Sequence, residues 1–532
     1  MHKYVKLLPF FVILTLVFSV TLMPGQTQVA QAQGTVVYNL YATDGYIELP
    51  DGLPLYTYGF IGGREGADFT YQSRFTPGVA PANVTVGGGA VAPQGGPWAG
   101  QDAQFAGNAQ FPAPVIYATT NDVVEIRLKN LGVAANPLAP NDPHSIHLHG
   151  LDVDAANDGV PETSLGAVPA NMCANGTSAA NGICGPKTGG PAPGAGNVIV
   201  YMFSPTHAGT YMYHCHQEAD IHVQMGMFGA LVVYNGGDAA AATGPGQNAG
   251  GTLYNHPYDK DYVMLVSEFD VRGHQAEEGT YRPATWDPRP YNWALYKPQY
   301  WQINGISFPN TIHAGWPSGY TYADWLAAHP GYETLYTGSV TGGGGAWGTP
   351  GEKVLLRVIN MGFETQPLHM HGYHGKIIGS DQRAWPWANQ PGVTPFNAGM
   401  EKNTLLIGSG ETYDWLVDFG QQSFQSTYNA GTMTRFNNTY VQGTRQLSNV
   451  ACDTNLPLNA PVVNTNENCP PIPEFGLPAV GLDYIGGPTV TGAVGLPAAS
   501  QFFPFHNHDD YKATNNGIYP GGMFTMLVPT GP

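Results

Sequence analysis

The stretch Tyr213-His214-Cys215-His216-Gln217-Glu218-Ala219-Asp220-Ile221-His222-Val223-Gln224-Met225-Gly226-Met227 sets one cysteine between two histidines, with a third histidine and a methionine close behind. A thiolate, an imidazole and a weak thioether converging on one metal are the ligands of a blue-copper electron-transfer site, which also needs a second histidine from elsewhere. Along a strand, neighbouring side chains point to opposite faces. His214 and His216 therefore point away from Cys215 and can bind different metals from the one it holds. Only one residue of backbone then separates the two kinds of site.

The chain has 532 residues, enough for two or three domains. It is rich in Gly (70), Pro (45) and aromatic residues (12%), and only 11% of it is charged, which favours a loop-rich all-β protein. A formal charge of −18 argues against nucleic acid or anionic membrane surfaces as partners. Lys3 and Lys6, an apolar run from Leu7 to Met23 and Ala30-Gln31-Ala32 read as a secretory signal over residues 1–32, cleaved after Ala32. No other stretch is long and apolar enough to span a bilayer, so the mature chain is expected to be secreted or periplasmic without a membrane span. Of five cysteines, Cys215 is committed to the metal; Cys173 with Cys184, and Cys452 with Cys469, bracket loops and are expected as two local disulfides.

Val115 to Asn130 reads as a half-buried strand in which Val124, Ile126 and Leu128 alternate with Glu125, Arg127 and Lys129. It leads into Pro143-His144-Ser145-Ile146-His147-Leu148-His149-Gly150. The pattern returns after residue 350. Gly351 to Asn360 repeats the strand, Gln366-Pro367-Leu368-His369-Met370-His371-Gly372 follows, and Phe505-His506-Asn507-His508 and Gly522-Met523-Phe524 close the second copy. An internal repeat in the same order means two copies of one domain. Each copy is a set of short strands and turns, hence a β-barrel or sandwich. The expected organisation is a first domain over 33–234, a Gly/Ala/Asn-rich linker over 235–253 and a second domain over 254–532.

The copies differ where it matters chemically. The first has His144, Cys215 and His222 at the blue-copper positions. The second has Gln366, Asn507 and, counting back from Met523, Ile518. Only the first can hold a blue copper. Both keep their His-x-His pairs: His147/His149 and His214/His216 in one, His369/His371 and His506/His508 in the other. A pair at i, i+2 projects both rings from one strand face, so two domains can close a multinuclear site between them. His2, His207, His256, His274, His313, His329 and His374 are read as ordinary core or surface residues.

These motifs resemble the multicopper oxidases, and specifically their two-domain, laccase-like branch. His-x-x-His-x-His-Gly, His-Cys-His with a downstream His and Gly-Met, a second His-x-His-Gly and a late His-x-His are all present in order. The resemblance covers nearly the whole mature chain. It implies two tandem cupredoxin-like Greek-key β-barrels and four copper ions per chain. Type 1 copper would be held by His144, Cys215 and His222 with Met227 axial. Type 2 would take His147 and His369, and the type 3 pair His149, His214, His216, His371, His506 and His508. The implied reaction takes single electrons from a small reducing substrate (a phenol, an aromatic amine or a metal ion) and reduces O2 to water. The gap from Cys215 to His222 is two residues longer than in most three-domain laccases. Two-domain relatives imply a homotrimer, in which the first domain of one chain meets the second domain of the next.

Reducing O2 consumes protons, so a carboxylate near the cluster is expected. Asp158 resembles an acidic position near type 2 copper, and Asp509 and Asp510 are rivals. Glu218 and Asp220, inside the Cys215–His222 loop, are either solvated or placed to hold a metal ion or an aromatic amine. A copper nitrite reductase leaves several of the eight histidines unexplained, and an electron carrier needs none of them.

Overall fold

The computed structural model describes residues 34–65, 69–73, 82–86, 105–164, 166–169, 198–246, 249–281, 291–312, 329, 331–332, 352–385, 400–418 and 503–527. The signal segment, the four cysteines expected in disulfides and most of the 165–195 and 419–501 loops lie outside these residues. The described part is mostly strand, as the composition implies, and no described helix is long and apolar enough to cross a membrane.

The first lobe contains β1 (Gly34–Glu48), β2 (Pro54–Arg64), β3 (Phe69–Ser73), β4 (Ala82–Val86), β5 (Ala113–Thr119), β6 (Asp122–Gly132), β7 (His147–His149), β8 (Val198–Phe203), β9 (Gly209–His214), the single-turn helix α1 (Ala219–His222) and β10 (Phe228–Tyr234). Its two facing sheets run β2-β1-β6-β8 and β5-β10-β9-β7, with β3 and β4 as a separate hairpin. Val124, Ile126 and Leu128 are buried on the inner face of β6, while Arg127 Nε donates to Glu125 Oε1 (2.5 Å) on the outer one. The stretch read as one strand from Val115 to Asn130 is in fact β5 and β6, in different sheets. The break follows from Asp122, whose carboxylate accepts the Thr119 N–H (2.7 Å) and turns the chain.

The second lobe adds β11 (Gly251–Leu253), β12 (His256–Tyr258), β13 (Lys260–Phe269), helix α2 (Val271–Glu278), β14 (Tyr300–Ile303), β15 (Lys353–Asn360), β16 (Gln366–Met370), β17 (Gly375–Ser380), β18 (Arg383–Ala384), β19 (Met400–Lys402), β20 (Thr404–Ile407), β21 (Thr412–Asp418), β22 (Phe503–Asn507) and β23 (Phe524–Leu527). The order β14-β13-β15-β21-β17-β18 forms one sheet, with β19 on β17, and β20-β16-β22-β23 forms the other. Each lobe is thus built on two β-sheets, as the internal repeat implies.

Three features join the lobes. Leu49, Phe111, Phe228 and Val232 share one core with Val263, Leu265 and Ile359, so β13 is buried along its whole length. Within the stretch expected as a linker, Ala239–Ala242 forms a 3-10 turn that sinks Ala240 into that shared core. Arg357 on β15 is buried between Asp261 (Nε to Oδ2, 2.7 Å) and Asp414 (Nη1 to Oδ1, 3.8 Å), and its Nη1 also donates to Thr210 Oγ1 on β9 (3.2 Å).

The tip of the β17–β18 hairpin lies against the first lobe at Gly150, just past the first His-x-His pair. Gly150 has φ +89, and a Cβ there would collide with the Gln382 carboxamide. Gly150→Ala is expected to cost about 1–3 kcal/mol of stability, read as a lowered urea midpoint. An unchanged midpoint would mean that the hairpin does not dock there.

Candidate metal centre

His144, Cys215 and His222 come together in the core of the first lobe. All three are buried, and their ligand atoms lie within 4.8 Å of one another. His144 Nδ1 is 3.8 Å and His222 Nδ1 3.3 Å from Cys215 Sγ. Backbone fixes this corner: Cys215 N donates to Met227 O (2.9 Å), Met227 N to His222 O (3.0 Å), and His144 pairs with Ala167 in both directions. The Ser145 N–H points at the sulfur (3.4 Å), a donor that suits a thiolate. Met227 is buried in the same cluster as Cys215, and so is Met225.

The electrostatics of the pocket favour positive charge. Burial pulls the His222 imidazolium down, but Cys215 and Asp142 more than reverse this and raise its pKa to about 10. Burial, then the charge on His222, holds His144 well below the usual histidine range. One sulfur and two imidazoles converging in this way fit a blue copper.

The eight remaining histidines form two groups of four. In the first lobe His147 on β7 is paired across the ladder with His214 on β9, and in the second His369 on β16 is paired with His506 on β22. Each ladder places four rings at centroid separations of 4.9–6.0 Å. Several Nδ1 atoms are already engaged. The Cys215 carbonyl accepts from His214 Nδ1 (2.9 Å), Asp158 O from His147 Nδ1 (2.7 Å) and Asn507 O from His506 Nδ1 (2.8 Å). His369 Nδ1 sits 2.8 Å from Thr404 Oγ1. Such bonds fix the tautomer and leave Nε2 as the free donor atom. His371 Nε2 and His506 Nε2 already face each other at 3.1 Å. Burial holds His214 at about 3 and lowers His149, His369 and His371, so these rings are neutral and able to ligate at neutral pH. The donor set fits copper. Among the described residues no ring contact joins the two groups, and the second-lobe turn at Gly410 packs against His149 instead.

In the second lobe the place of the blue-copper site is filled by side chains. Asn507 Nδ2 donates to Gln366 Oε1 (2.7 Å), Lys512 Nζ reaches the same oxygen (3.2 Å), and Gln366 Nε2 donates to the buried Glu268 carboxylate (2.8 Å). Ile518, the residue found by counting back from Met523, is instead exposed, and Lys512 stands beside Gln366. The count fails because the chain here makes a 3-10 turn (Asp510–Lys512), whereas the first lobe uses α1.

Asp158 Oδ1 lies 3.2 Å from His147 Nδ1. Asp509 is tied to Lys512 Nζ (3.2 Å), and Asp510 begins the 3-10 turn. Sequence reasoning did not single out Asp142 or Glu277. Asp142 Oδ2 is 3.9 Å from His222 Nε2, and Asp142 groups with Glu218 around that nitrogen. Glu277, brought over by α2, is pushed up to about 7 by burial first, then by Asp142, with Glu218 and Asp220 adding to the effect. Its only signal in the sequence is a carboxylate in a short polar helix, which could have been anywhere.

A family model described as multicopper oxidase matches residues 92–237 and 348–421. Copper resistance protein A of Escherichia coli is 23% identical over 341 residues, covering 61% of this chain and 46% of that protein. Oxidoreductase tpcJ of Aspergillus fumigatus is 30% identical over 171 residues, 31% of this chain and 22% of the relative. The chain thus spans less than half the length of these curated relatives. Among solved structures, the blue copper oxidase of Nitrosomonas europaea is similar with a TM-score of 0.46 at 16% identity, over 94% of this chain and 86% of that one.

Proposed function

We propose that the chain is an exported, laccase-like member of the multicopper oxidases, whose family model matches two of its segments, and that it oxidises a small reducing substrate and passes the electrons to O2. When bound, copper supplies one-electron acceptance at the Cys215 centre and reduction of O2 to water at the histidine cluster. His144, Cys215, His222 and Met227 would hold the first. His147 and His369 would hold type 2, and His149, His214, His216, His371, His506 and His508 would hold the type 3 pair, four coppers per chain in all.

The observation that carries this reading is the pair of separate four-histidine groups, each built on one strand ladder. Neither group alone offers the eight imidazoles of a trinuclear cluster. We therefore place the cluster between chains, the first lobe of one meeting the second lobe of the next in a closed head-to-tail trimer. Cys215 links the two kinds of site twice over, through the peptide bond to His214 and through the hydrogen bond from His214 Nδ1 to its own carbonyl. Asp158 is the best placed of the three candidate carboxylates to hold a proton beside the cluster, at His147 Nδ1. Asp509 is engaged by Lys512.

The test is O2 uptake by the copper-loaded protein with a methoxyphenol, Fe(II), Mn(II) and Cu(I). Uptake with none of them, at full copper content, would sink the oxidase reading. The assembly has its own test. A His214→Ala/His216→Ala chain and a His506→Ala/His508→Ala chain are each expected to be inactive, yet mixed trimers should regain about a quarter of the wild-type activity. No recovery on mixing would put the cluster within one chain.

A further inference from the structure

We propose that Glu268 is a positioning residue for the second-lobe half of the histidine cluster, acting through Gln366 and Asn507 on the strands that carry His369, His371, His506 and His508. The inference rests on the copper-oxidase reading and adds the group that orients half of its cluster.

Glu268 lies on β13 and is 1% exposed. Its Oε1 accepts from Phe363 N (2.5 Å), Glu364 N (3.0 Å) and the Tyr296 hydroxyl (2.9 Å). Those three bonds would suit a residue that merely pins a turn. Its Oε2 does something else, accepting from Gln366 Nε2 (2.8 Å). Gln366 opens β16, three residues before His369, and Asn507 stands between His506 and His508 on β22. Both carboxamides are fully buried.

A carboxylate only accepts, whereas a carboxamide accepts at one atom and donates at the other. Gln366 must therefore turn Nε2 to Glu268 and Oε1 inward, where it accepts from Asn507 Nδ2 (2.7 Å) and Lys512 Nζ (3.2 Å). With Nδ2 so committed, Asn507 offers Oδ1 to the Asp509 N–H (2.9 Å), directly after His508. One acceptor at Glu268 thus sets the direction of every bond from β13 to the last histidine. Leu368, His369 and Met370 of β16 pair with Asn507, His506 and Phe505 of β22, and the side-chain line braces this ladder at its Asn507 end.

Glu268→Gln keeps the size of the side chain and an oxygen for the donors on the Oε1 side. It also sets an amide donor against Gln366 Nε2. If Gln366 flips to meet it, its own Nε2 faces Asn507 Nδ2 and the Lys512 ammonium, and the mismatch moves on to Asn507. Wherever it stops, a buried donor is left unpaired beside a strand that carries the histidines. Adding Gln366→Glu restores the order. The carboxylate then sits at position 366, accepting from the amide at 268, from Asn507 and from Lys512.

The variants are read with and without metal. In the metal-free protein, amide exchange of residues 503–512, followed by mass spectrometry, should quicken in Glu268→Gln. It should return to the wild-type rate in Glu268→Gln/Gln366→Glu. In the copper-loaded protein, copper affinity at the histidine cluster should fall roughly 10–100-fold in the single variant. The blue absorption of the Cys215 centre should persist, which shows that the fold is intact. The KM for O2 should rise while the KM for the reductant stays. Wild-type exchange and copper affinity in Glu268→Gln would overturn the proposal. So would a double variant no better than the single one, since Glu268 would then only pin the turn at Phe363 and Glu364. Quickened exchange that the double variant rescues, in a protein whose wild type takes up no O2 with any reductant, would leave the positioning role standing and remove the oxidase reading instead.

Discussion

Cys215→Ser is expected to give a folded, colourless protein whose O2 uptake falls to near background with every reductant. The intense blue absorption of such centres needs a thiolate on copper, and a serine hydroxyl is neither deprotonated nor soft enough to replace it. The side chain is fully buried and packed among Ile146, Tyr213 and Met227, so exchanging sulfur for the slightly smaller oxygen disturbs the core little. The hydrogen bonds from Cys215 N to Met227 O and from the His214 side-chain Nδ1 to Cys215 O do not involve the sulfur and should remain. The histidine cluster has its own ligands. Copper content should therefore fall by one ion per chain rather than to zero. Elemental analysis with visible and EPR spectra checks all of this. A serine variant that kept substantial turnover would mean that electrons reach O2 without passing through this thiolate.

Arg357→Met should produce the largest loss of stability of any single change at the contact between the lobes, about 3–5 kcal/mol. The guanidinium is 1% exposed and sits between two fully buried carboxylates, with the rings of Tyr234 and Tyr258 at 5.1 and 5.6 Å. Burial pushes the Asp261 and Asp414 carboxyls up, and Arg357 offsets only part of that rise. Methionine fills much of the same volume but leaves both acids without a counter-charge. They must then stay buried as anions or take up protons, and either is costly. Urea unfolding measures the loss. Adding Asp261→Asn and Asp414→Asn to the variant should recover much of it, since the penalty comes from stranded charge more than from lost attraction. A loss below about 1 kcal/mol would place the pair among ordinary surface ion pairs. The network also holds Thr210, four residues before His214 on β9, so the variant's blue absorption should broaden as the copper strand loosens.

The sequence was most legible where chemistry leaves few choices of residue. A soft-metal site needs a thiolate and imidazoles at fixed spacing, and a ladder of paired histidines needs His-x-His, so both could be read directly. Strand alternation was equally plain at Val124, Ile126 and Leu128, where one face is fully buried and the charged side chains of Glu125 and Arg127 on the other are half-buried. Contacts between distant segments were not legible. Glu277 reaches His222 only because α2 packs on β2, and no local pattern around either residue encodes that meeting. Counting residues through a turn also failed, because turns conserve geometry and not length, which is why Ile518 was named where Lys512 stands. The Asn235–Gly251 run looked like a spacer by composition. Alanine is small enough to pack closely, and four of them formed a turn with one methyl in the core.

The lysine beside Gln366 and Asn507 bears on the order in which this protein matures. In the first lobe the corner is made of His144, Cys215 and His222, and a positive charge there would have to arrive from outside as an ion. In the second lobe the positive charge at the matching corner is the Lys512 ammonium, delivered by the ribosome and attached for the life of the chain. That lobe can reach its final packing before any metal is present and offer its four histidines on a finished scaffold. The duplicated domain has thereby divided its labour, with a metal-ligating corner in one copy and a lysine-filled one in the other.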